Sequence, residues 1–89
     1  MFQDPFDSFS DSLISPAGDC FAIAPNDGAD LPRATKAIYV GSAGDVAIVP
    51  IRGSVGVIFR NVPAGTILDV RARAVKATGT SAGDLVGLI

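Results

Sequence analysis

Apolar and polar positions alternate along most of this chain in short stretches, separated by glycine, proline and asparagine. The clearest stretch sets Leu68, Val70, Ala72 and Ala74 against Asp69, Arg71 and Arg73, which predicts one strand with a buried and a solvated face. Cys20–Ala24 is a short apolar run that stops at Pro25-Asn26-Asp27-Gly28, a concentrated turn signal. Lys36–Val40 reads as the next strand, closed by Gly41-Ser42-Ala43-Gly44. Val46–Ile51 is apolar on both faces and so belongs in a central or interface-covered position. Gly53-Ser54 fits a two-residue type II′ hairpin leading into Val55, Val57 and Phe59. Val62-Pro63-Ala64-Gly65 has proline second and glycine fourth, the type I arrangement. Thr78–Gly83 is a loop of small residues, and Leu85–Ile89 is a final apolar strand. Six short strands with turns between them predict an all-β fold, a small antiparallel sandwich or barrel over residues 18–89. Strand order is not written in such a pattern.

Residues 1–17 have a different grammar and form an N-terminal arm. Phe2, Phe6, Phe9 and Leu13 recur at steps of four, three and four, a helical stripe, while Asp4, Asp7, Asp11 and the serines 8, 10, 12 and 15 make the rest polar. Asp4-Pro5 reads as a helix start, and Ser15-Pro16 with Gly18 as a stop; an extended arm is the other form it can take. Two or three turns of isolated helix are marginal in water. The arm is therefore expected to order against a partner surface, which makes Phe2, Phe6, Phe9 and Leu13 candidate interface residues. The alternative is that the phenylalanines pack on the domain's own core.

Composition narrows the chemistry. At 89 residues the chain is one small domain, and it is 48% hydrophobic and only 18% charged. A domain of this size buries roughly 60% of its unfolded surface, so self-assembly has much to contribute to its stability. Histidine, glutamate and tryptophan are absent, and all nine acids are aspartates. Without histidine the usual general base near neutral pH is missing, together with the commonest transition-metal ligand. The single Cys20 makes neither an internal disulfide nor a zinc site. No apolar run approaches the ~20 residues of a membrane span, and the acidic N-terminus lacks the basic start of a signal peptide. No enzyme activity, cofactor, metal or membrane partner is expected.

Two motifs invite chemistry and lose it on inspection. Gly79-Thr80-Ser81-Ala82-Gly83 matches the G-x-S-x-G nucleophile elbow, which needs a strand before it, a helix after it and a histidine to take the serine proton. Six residues follow it and no histidine exists, so a tight turn is the expectation. Asp19, Asp27 and Asp30 lack the alternate spacing and terminal glutamate of a calcium loop. No phosphate-binding glycine loop occurs, and a net charge of −2 gives no footprint for nucleic acid.

Charge is uneven along the chain. Residues 1–45 hold seven aspartates and two basic residues, net −5; residues 46–89 hold two aspartates and five basic residues, net +3. Copies meeting acidic side to basic side would form a head-to-tail contact, which closes into a ring when the rotation permits. Arg71 and Arg73 share one strand face and are the candidate basic half of that contact; a solvated face is the plainer reading of the same pair.

The run Phe21-Ala22-Ile23-Ala24-Pro25, then Ala29-Asp30-Leu31, then Ala37-Ile38-Tyr39-Val40-Gly41 with Gly44-Asp45, resembles the spike base proteins of tailed phages and phage-like gene transfer agents. Val62-Pro63-Ala64-Gly65-Thr66, Ala77-Thr78-Gly79-Thr80 and Val86-Gly87-Leu88 resemble the same family. The likeness spans residues 20–88 and leaves the arm outside it. It implies a virion structural protein on the head surface, an oligomeric base that links the major capsid protein to a spike or fibre protein. A vertex position would imply a homo-pentamer. A capsid decoration (cement) protein and a small glycan-binding β module are the alternatives; the second would need exposed aromatics, and outside the phenylalanines only Tyr39 is available.

Overall fold

A computed structural model describes residues 16–89. The arm residues Phe2, Phe6, Phe9 and Leu13 lie outside the described residues. The described chain forms seven strands and no helix: β1 (Cys20–Ala22), β2 (Ala37–Ser42), β3 (Gly44–Pro50), β4 (Val57–Val62), β5 (Thr66–Leu68), β6 (Ala72–Lys76) and β7 (Gly83–Leu88). They make a four-stranded sheet in the order β1-β7-β2-β5 and a three-stranded sheet in the order β4-β3-β6, all neighbours antiparallel. The all-β sandwich expected from the pattern is what the chain builds. Val46–Ile51 falls on the central strand of the smaller sheet, which explains its two apolar faces.

The core lies between the sheets. Ile38 and Val40 of β2 and Leu85 of β7 meet Val46 and Ile48 of β3, Val62 of β4 and Ala72 and Val75 of β6, with Ile23 and Ala82 closing the ends. Phe21, Phe59, Leu68 and Val70 pack around this centre. Each fully buried valine or isoleucine contributes about 1.5–3 kcal/mol, and most of the buried core residues are β-branched, which suits pleated strands.

Three local expectations need correction. The alternating stretch 68–74 is not one strand: Leu68 pairs with Ile38 in the larger sheet, and Ala72 pairs with Pro50 in the smaller one. Leu68, Val70 and Ala72 serve one core across the bend, but a bulge in the pairing with Val49 and Pro50 then shifts the phase, so that Val75 and not Ala74 joins that core. The bend is clasped by Thr35, only 1% exposed, whose hydroxyl accepts from the Ala72 N–H (3.2 Å) and donates to the Val70 carbonyl (3.4 Å). Seven strands therefore stand where six were expected.

Second, Gly53-Ser54 is not a two-residue hairpin. The last β3–β4 pair is Ile48 with Val57, and the chain between them makes a turn closed by the Gly53 N–H to the Pro50 carbonyl (2.9 Å). Val49 and Pro50 remain paired with β6 after β4 has peeled away, so the strand outlasts the hairpin. Third, the Pro63–Thr66 turn is one residue later in frame than expected. Gly65 has φ +83° and sits third, with the Thr66 N–H reaching the Pro63 carbonyl (3.3 Å); a left-handed third residue is the type II signature.

Gly44, at the crossover from β2 to β3, is pressed against the backbone of Ala82. A Cβ there would stand 2.5 Å from the Ala82 nitrogen and 2.8 Å from its Cα, and backbone does not yield as a side chain does. Gly44→Ala is expected to cost about 1–3 kcal/mol, as overpacking usually does, and each kcal/mol lowers Tm by roughly 4–8 °C in a domain of this size. A thermal melt followed by circular dichroism measures it, with unchanged Tm the contrary result.

Candidate assembly surface

Polar side chains here mostly close the ends and edges of the sandwich. Asp45 is the densest junction. Its carboxylate accepts from the Asn61 N–H (2.9 Å) and pairs with Arg60 (3.4 Å), across a bulge where Arg60 and Asn61 lie opposite it. Asn61 takes φ +56° to complete that bulge, a conformation asparagine tolerates. The Asp45 backbone meanwhile holds the 77–82 loop: its carbonyl accepts from Ser81 and Ala82 (2.9 and 3.1 Å), and its N–H donates to the Ser81 hydroxyl (3.0 Å). Thr80 accepts from the Ala47 N–H (3.0 Å). The G-x-S-x-G segment thus takes the place of a strand along the end of β3, where β6 has stopped pairing. Ser81 spends its hydroxyl on that edge.

The three aspartates once grouped by sequence have separate employment. Asp19 accepts from the Cys20 N–H (2.8 Å), and Asp30 pairs loosely with Arg73 (3.7 Å). Asp27 receives the Thr78 N–H (3.0 Å) and the Thr78 hydroxyl (2.7 Å), tying the 23–35 segment to the loop after β6. That segment also covers the outer edge of β6, with the Asn26 N–H on the Val75 carbonyl and the Leu31 N–H on the Arg73 carbonyl.

Arg71 and Arg73 are both exposed, as the alternation implied. The structure separates their roles. Arg73 faces Asp30 in its own chain, while Arg71 has no ion-pair partner among the described residues. Arg71 sits on the bend between the sheets, where its carbonyl accepts from the Ile51 N–H (2.9 Å).

The sequence pattern did not disclose the outer face of the four-stranded sheet. Register places Ala22 beside Val86, Val86 beside Tyr39, and Tyr39 beside Ile67, an apolar row crossing all four strands. A second row runs Cys20, Leu88, Ala37. Tyr39 is 38% exposed and Ile67 58%. Outward positions of an antiparallel sheet are ordinarily polar, so an apolar row on this side marks a surface made to be covered. A signal for it existed: Ile38-Tyr39-Val40, Thr66-Ile67-Leu68 and Leu85-Val86 put apolar or aromatic residues at both phases of their strands. With Phe21 and Phe59 packed against the core, Tyr39 is the only exposed aromatic among the described residues.

Asp27 makes stability pH-dependent. The backbone hydrogen bond from Thr78 first, then its hydroxyl, then the nearby Lys76 charge hold the Asp27 carboxyl below the usual range. A carboxyl depressed on folding stabilises the native state above its unfolded pKa of about 3.9, and that contribution is lost as pH falls through the lower folded value. Asp27→Asn is therefore expected to lower Tm at pH 7 and to converge with the parent as pH falls through the lowered folded pKa. Parallel Tm curves at all pH values would disprove it.

Comparison with known proteins yields a strong likeness. Scans of protein-family models and of curated proteins find no match. Among solved structures, a chain of the capsid of a native gene transfer agent particle, computed with C5 symmetry, is 38% identical, with a TM-score of 0.87. The match covers 98% of this chain and 100% of that one. Full-length identity at this level shows more than a shared sandwich: the chain belongs to the capsid components of gene transfer agents, structural proteins of a virion-type particle.

Proposed function

We propose that this protein is the base of a head spike: a homo-oligomeric, non-enzymatic module seated on the particle's capsid and carrying a spike or fibre protein. The full-length likeness to a gene transfer agent capsid chain supports the reading most directly. The order of turn and strand motifs shared with spike base proteins supports the finer assignment. Uneven charge, a sheet apolar on both faces and a core of modest size all favour a protein that works in contact with copies of itself and with neighbours. The C5 symmetry belongs to the related particle; a ring of five copies at a vertex, against the major capsid protein, is the arrangement we propose for this chain.

Deleting the gene is expected to give intact, filled heads that lack spikes in electron micrographs. Heads that burst or leak instead would favour a decoration protein, and specific binding of the isolated domain on a glycan array would favour a host-glycan module.

Arg71 supplies the proposed basic contact between subunits, with Arg73 secondary because Asp30 already faces it. The double replacement Arg71→Asp and Arg73→Asp is expected to dissociate the oligomer, since like charges would then meet on the acidic flank. Arg71→Asp alone is expected to produce most of that loss, because an exposed pair such as Arg73–Asp30 is worth only about 0–1 kcal/mol. Light scattering reads the outcome; unchanged mass in the double variant would return both arginines to solvent.

A further inference from the structure

We infer that the apolar row on the outer face of the four-stranded sheet is the seat for the N-terminal arm of the next copy in the assembly. The inference rests on the self-association proposed above and names its surface and its occupant.

Uncovered apolar area is distributed unequally along the row. Next to β1, where the chain's own arm enters, stand Ala22 and the half-buried Val86. At the opposite edge, on β2 and β5, stand Tyr39 and Ile67, the largest exposed apolar side chains of this face. The surface most in need of cover is therefore the part farthest from the strand that follows the arm. β5 and β1 are the two edges of this sheet, so a head-to-tail assembly that sets the β5 edge of one copy against the β1 edge of the next would bring the start of that neighbour's arm to Tyr39 and Ile67. The same arrangement places an arm beside every such edge.

Size and chemistry agree. From Phe2 to Leu13 a helix would rise about 17 Å, and four strands spaced at ~4.8 Å span about 14 Å between the outer two. A three-turn helix lying across the sheet would set its stripe of Phe2, Phe6, Phe9 and Leu13 along the row, one apolar residue for each strand crossed. Asp4, Asp7 and Asp11 lie between the stripe positions and would keep the other side of the helix in water.

Two full-length variants test this. Tyr39→Ser with Ile67→Ser alters the face, and Phe6→Ser with Phe9→Ser alters the arm. Tyr39 and Ile67 are exposed, so a parental circular dichroism spectrum and Tm are expected for the face variant and checked first for both. By light scattering at micromolar concentration each variant alone is expected to fall from the oligomeric mass to the 9.0 kDa monomer. Mixed in equal amounts they are expected to form a two-copy complex, the intact arm of one seated on the intact face of the other. A face variant that keeps the parental mass overturns the inference and leaves self-association standing. A mixture that stays monomeric while the parent assembles also overturns it, and shows the arm seated on its own copy or on another protein. A parent that is itself monomeric removes the self-association on which both readings depend.

Discussion

The bend between Leu68 and Ala72 decides this architecture. One continuous stretch leaves the larger sheet and enters the smaller, and Thr35 holds it there from inside the protein. A buried hydroxyl left without partners would cost roughly 1–3 kcal/mol; this one both accepts and donates. The crossover at Gly44 mirrors it at the other end, where β2 passes into β3 under the Ala82 backbone. Two strands of the larger sheet thus continue directly into the smaller one, and the small core is enclosed by chain that belongs to both layers.

What the sequence disclosed follows from which signals are local. Alternation at 68–72 correctly named Leu68, Val70 and Ala72 as inward, because period two depends only on the pleat; it failed at Ala74, because a bulge in the pairing with β3 turns Val75 to the core instead. It could not reveal the bend, since Leu68 and Ala72 face one core from different sheets. Gly53-Ser54 looked like a hairpin because glycine was in the right place. Long-range pairing of Val49 and Pro50 with β6 overrode that local preference. Gly65 was recognised as a turn residue but placed one position out of frame, as happens where proline and glycine permit two turn types. The Gly79–Gly83 loop was read correctly as a tight small-residue segment, although its task along β3 needed the three-dimensional neighbour Asp45.

The surface was harder to read than the core. Ile38-Tyr39-Val40 is a run that a buried strand would also show, so its exposed middle residue is invisible until Val86 and Ile67 are placed on either side. Arg71 and Arg73 were equivalent in sequence; only the position of Asp30 distinguishes them. Polar residues in this protein mainly finish edges: Asp45, Thr80 and Ser81 along β3, and the segment bearing Asn26 and Leu31 along β6. Covered edges suppress uncontrolled strand addition, which suits a protein meant to associate through chosen surfaces.

The pairing of Gly18 and Asp19 with Ile89 has a mechanical consequence. Gly18 donates to the Ile89 carbonyl and Ile89 donates to the Asp19 carbonyl, so the start of β1 and the end of the chain leave the sheet side by side. Tension between the two ends would unzip β1 from β7 one pair at a time, opening three weak links in succession. Tension between the N-terminal end and the body of the sandwich would instead load those same links together, in shear along the strand. Loaded in that second way, the three-residue β1 resists in the direction in which so short a strand is strongest.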